Sequence, residues 1–160
     1  MPRREDDFDK ALSEFAPEQE AGVGNVAIFF LVSVFCAVLP GYLFTTPMIG
    51  MDLMGNLPLY GGVTAASGAL LTFASTRVAD GLFRASKQKA KGAKGGEQLE
   101  ELFKQEAIGF SMFKNNVMYL FLTLFLAFWL IPTFTEEQKV RYALSVVSPA
   151  CIMAYLASYY

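Results

Sequence analysis

Few side chains in this sequence can do chemistry, and their placement limits what that chemistry is. There is no histidine, which removes the commonest general base and the commonest metal ligand. Cys36 and Cys151 both lie inside long apolar stretches, where a thiol acts as a small hydrophobe rather than a nucleophile. No metal-ligand spacing and no disulfide framework is present. No enzymatic site, metal or cofactor is therefore expected. Asp52 stands just ahead of an apolar stretch. There it suits capping of the first amides of a helix; a buried functional carboxylate is the alternative. The one concentrated chemical feature is RASKQKAKGAK, with Arg84, Lys87, Lys89, Lys91 and Lys94 and no acid until Glu97. Its chemistry is electrostatic. Such a run can be solvated and merely set topology, or attract anionic lipid head groups at ~1 kcal/mol per basic residue. It can also neutralise RNA phosphates in a salt-sensitive, sequence-independent way.

The elements that must position this run are apolar. The chain has 160 residues, 54% of them hydrophobic and 18% charged, and the charge is segregated. No acid or base lies between Glu20 and Asp52, between Asp52 and Arg77, between Lys114 and Glu136, or after Arg141. Each gap holds the roughly 20 residues that a hydrocarbon core requires. The sequence predicts an all-α, polytopic membrane protein. Its four transmembrane helices carry a cytosolic helical hairpin between the second and third. The segments are an acidic tail over 1–22, spans one and two over 23–76, the basic hairpin over 77–115, and spans three and four over 116–160.

The tail places Phe8, Leu12 and Phe15 at helical spacing, so Asp7–Phe15 is read as either a short amphipathic helix or a solvated tail. Pro40 is expected to kink or end span one, and Pro149 to interrupt span four. Span two is rich in small residues. Gly61, Ala65 and Ala69 recur every fourth position, which flattens one helix face for close helix approach in lipid. That face is the candidate packing surface, within the bundle or toward a partner subunit. Past Arg77 the helix is expected to continue out of the membrane. Gly92, Gly95 and Gly96 mark a turn, and Glu97–Phe110 returns with helical periodicity into span three. Trp129 and the tyrosines Tyr155, Tyr159 and Tyr160 suit interfacial belts.

Orientation follows from counting Lys and Arg. The tail has three and the segment Arg77–Lys114 has eight, while the two opposing turns have none and two. The positive-inside rule places both termini and the hairpin in the cytosol.

Local strings then resemble a known family. Met51-Asp52-Leu53 followed by Leu59-Tyr60, Glu106-Ala107 followed by Phe110-Ser111-Met112-Phe113 and Asn115-Asn116, and Tyr142-Ala143-Leu144-Ser145 resemble the gamma subunit of the translocon-associated protein (TRAP) complex. The connection between spans two and three is shorter here than in the animal members. The resemblance implies a non-catalytic endoplasmic reticulum membrane subunit with no cofactor. Its implied partners are the other TRAP subunits, a Sec-type protein-conducting channel, membrane lipids, and the large ribosomal subunit through rRNA and a ribosomal protein. The ribosome-contact candidates are Arg84, Lys87, Lys89, Lys91 and Lys94. A small four-span transporter or lipid-handling protein is the alternative.

Overall fold

The computed structural model describes residues 23–45, 50–52, 54–90 and 97–160. Every regular element among them is helical. Helix α1 spans Val23–Thr45. A 3-10 turn at Met54–Asn56 leads into α2, Leu57–Ala90. Helix α3 spans Glu97–Phe125 and α4 spans Gln138–Ala157. The stretches Val26–Thr45, Met54–Lys87, Glu101–Thr133 and Gln138–Ala157 are long and apolar enough to cross a membrane. The chain is an all-α, multi-pass membrane protein. The tail with Asp7–Phe15 and the glycines at 92, 95 and 96 lie outside the described residues.

Helix α2 is the centre of the bundle and packs against α1, α3 and α4. Its inward face is Tyr60, Val63, Ser67, Leu71, Ala74, Ser75 and Val78, all buried. These positions recur at three- and four-residue steps, as one helix face requires. Lipid provides no hydrophobic drive between helices, so close packing and polar contacts hold them together. Both occur here. A Cβ at Gly68 would lie 2.8 Å from Val34 Cγ2 and 3.5 Å from its Cα, so α1 comes against bare α2 backbone. Ser67 Oγ donates to Val146 O on α4 at 3.4 Å. On α3, Ser111 Oγ donates to Ser75 O at 2.5 Å, and Asn115 Nδ2 to Ser75 Oγ at 3.3 Å.

Asp52 caps the turn before α2. Its carboxylate accepts from the backbone N–H of Met54 at 3.1 Å and of Gly55 at 3.0 Å. It thereby satisfies amides that a helix start leaves unpaired. The capping alternative for Asp52 is the one realised. Near the same end, the Tyr142 ring lies 5.2 Å from Phe44 and 4.7 Å from Tyr60 between centroids. The end of α1 and the starts of α2 and α4 meet there.

Neither Pro40 nor Pro149 ends its helix. Pro40 and Pro149 lie inside α1 and α4, which continue to Thr45 and Ala157. Both are buried against neighbouring helices, the setting in which membrane helices tolerate a missing donor. Pro132 does end a regular helix. After Phe125 the backbone widens into a π-helical segment, Leu126–Leu130, followed by a 3-10 turn at Ile131–Thr133. The Ile131 N–H reaches back five residues to Leu126 O. In that register Ala127 O would take the next N–H, but residue 132 is a proline and has none. Arg141 Nε donates to Ala127 O instead, at 2.8 Å.

Candidate functional site

Helix α2 does not stop at the first charge after its apolar stretch. From Arg77 to Ala90 it continues for about four turns, roughly 20 Å at 1.5 Å per residue. Nothing in this stretch breaks a helix: it holds no proline, and its residues are mostly good helix formers. Helix α3 begins at Glu97 and runs the other way into span three without interruption. The two helices pack against each other, with Val78 and Ala79 buried on one side and Ala107 and Ser111 on the other.

The first part of the basic run falls on α2. Arg84 and Lys87 are exposed on α2, three residues apart and therefore neighbours on its surface. Lys87 Nζ lies 5.8 Å from the Phe83 ring centroid, a cation–π contact that orients its ammonium. Lys89 falls in the last turn of α2, while Lys91 and Lys94 lie outside the described residues. Toward the membrane, Arg77 stands over the Phe73 ring at 5.5 Å. These contacts hold cations on an exposed helical surface, which suits an extended polyanion better than a small molecule. Among the described residues no group of three or more His, Cys, Asp or Glu could hold a metal ion.

The small-residue face takes the outward option. Gly61, Ala65 and Ala69 are exposed, and a Cβ at Gly61 or Gly62 would meet nothing within 4 Å. Inside the bundle the close approach is at Gly68 instead. A second such place escaped the sequence reading. A Cβ at Gly81 would lie 2.9 Å from Tyr160 Cβ, and Lys114 Nζ donates to the Tyr160 hydroxyl at 2.8 Å. No spacing rule pairs residues so far apart in the chain. Near Tyr160, the Tyr155 and Tyr159 hydroxyls share a 2.5 Å hydrogen bond, which raises the Tyr159 phenol above its ordinary pKa.

No curated protein matches the chain. A family model does. That of the translocon-associated protein, gamma subunit (TRAP-gamma), matches residues 87–159. The matched stretch starts in the basic run and takes in the return helix, the Phe110–Asn116 string and spans three and four. Over this stretch the chain is similar to the TRAP-gamma family.

Proposed function

We propose that this chain is a non-catalytic subunit of a translocon-associated complex of the endoplasmic reticulum. In this reading it holds a translating ribosome near the protein-conducting channel. The observation that carries the reading is the packed α2–α3 pair, in which α2 runs on to Ala90 and carries exposed Arg84 and Lys87. Lys89, Lys91 and Lys94 extend the same run of charge. Ribosomal RNA presents a dense phosphate surface to such a group, and arginine adds planar bidentate contacts that lysine lacks. The termini and the basic segment are cytosolic. The outward face of Gly61, Ala65 and Ala69 serves to anchor a transmembrane helix of a partner subunit.

The test changes Lys87, Lys89, Lys91 and Lys94 together to glutamine in the full chain. Ribosome association should weaken, and its salt dependence should flatten because fewer counterions are released. Membrane insertion should survive on Arg77, Arg84, Lys104 and Lys114. If ribosome association keeps its strength and salt slope while binding to anionic vesicles drops, the segment serves lipid and the ribosome reading is wrong.

A further inference from the structure

Among the described side chains, burial thins along α2 beyond Ala79 and along α3 ahead of Ala107, with Leu82 still resting on the core. Along the described part of α2 the last fully buried side chain is Ala79, and along that of α3 the first is Ala107. From Asp80 to Lys87, and over 101–106, every side chain is at least partly exposed. A helix pair whose fully buried contacts lie at its base takes its direction largely from there.

At that base sits Tyr160. With no side chain at Gly81, the Tyr160 main chain and ring lie directly on the α2 backbone. A Cβ there would lie 2.9 Å from Tyr160 Cβ and 3.1 Å from both its Cδ1 and its carbonyl oxygen. From α3, Lys114 Nζ donates to the hydroxyl at 2.8 Å and stands 5.1 Å from the ring centroid. The Tyr160 N–H returns to Ala157 O of α4 at 3.2 Å. One residue thus joins three helices where two of them leave the bundle.

We infer that Tyr160 is a positioning residue for the extension. Seated on Gly81 and held by Lys114, it fixes the direction in which α2 and α3 leave the membrane. It thereby sets how the basic segment meets its target. The inference rests on the ribosome-contact reading for its functional half alone. Its geometric half concerns the chain by itself. The competing role is that of an interfacial tyrosine that anchors α4 in the head-group region and positions nothing.

Spin labels at Ala85 and Glu136 measure the distance from the extension to the opposite end of the bundle. They are placed in the full-length protein, in lipid nanodiscs, with Cys36 and Cys151 changed to serine. Tyr160→Ala and Gly81→Leu should broaden the distance distribution. Tyr160→Phe keeps the ring on Gly81 but loses the Lys114 hydrogen bond, and should broaden the distribution less than Tyr160→Ala. In microsomes with the partner subunits present, Tyr160→Ala should weaken ribosome association several-fold and leave its salt slope unchanged, because the phosphate contacts are the same in number. A distribution as narrow in Tyr160→Ala as in the unmodified protein overturns the clamp. A broadened distribution with undiminished ribosome association overturns the positioning role. If the four-lysine variant also associates normally, the ribosome reading fails by itself, and the distance measurement still decides the clamp.

Discussion

Gly68 and Gly62 lie on one helix, six residues apart, and their surroundings dictate opposite responses to the same methyl group. A Cβ at Gly68 meets Val34 Cγ2 at 2.8 Å with the Val34 backbone behind it. Valine is stiff at χ1, so α1 itself must shift, at a cost of about 1–3 kcal/mol as for other overpacked sites. At Gly62 the space is open, and Gly62→Ala should gain up to about 1 kcal/mol of helix propensity. Thermal unfolding of the isolated chain in detergent should fall for Gly68→Ala and hold or rise for Gly62→Ala; the same sign at both would contradict the helix spacing. A second residue-scale pair is Pro132 and Arg141. Arg141→Ala leaves the carbonyl of buried Ala127 without its donor, which costs about 1–3 kcal/mol. Pro132→Ala restores an N–H in the π register. The double variant should therefore be more stable than Arg141→Ala alone. Asp52 was legible because capping is local, written in residues two and three positions away. Arg141 was not. Its partner is a carbonyl orphaned by a backbone register that no side-chain pattern announces.

At the scale of the helix, the sequence resolves the period of α2 and leaves open which face turns inward. In water the apolar face of a helix is the buried one, but in lipid both faces are apolar. Gly61, Ala65 and Ala69 therefore read equally well as inward or outward, and the structure turns them out. One signal does separate the faces: polar side chains avoid lipid. Ser67, Ser75, Ser111, Asn115, Thr123 and Ser145 are all buried, and they mark the inward faces of three helices. Substitutions at the two faces of α2 should separate accordingly. Leu71→Ala empties a fully buried site and should destabilise the isolated chain by about 2–5 kcal/mol. Ala65→Leu and Ala69→Leu add bulk at exposed positions. They should leave its unfolding temperature nearly unchanged while lowering co-purification of partner subunits. Unchanged co-purification would remove the anchoring role from this face.

For the whole molecule, span count and charge distribution decide orientation together. Four crossings put the two ends of the chain on the same side, and the α2–α3 connection shares that side whichever way the bundle faces. The structure constrains this parity, because α2 and α3 continue past the same end of the bundle that holds Tyr160. Cytosol or lumen is a separate choice. That choice comes from charge, since Lys and Arg near span ends resist translocation. Eleven of the thirteen basic residues lie in the tail and in Arg77–Lys114. The two on the opposite side are Lys139 and Arg141, and Arg141 is committed to Ala127 O. The asymmetry supports the proposed placement of the basic segment in the cytosol and of the turn between α1 and α2 in the lumen. The native chain carries no Asn-x-Ser/Thr acceptor, so engineered acceptors give a clean readout. One placed in the Thr45–Met51 turn should be glycosylated in microsomes, and one placed beside Gly92 should stay unmodified. The opposite pattern would turn the basic segment toward the lumen and remove any ribosome from its reach.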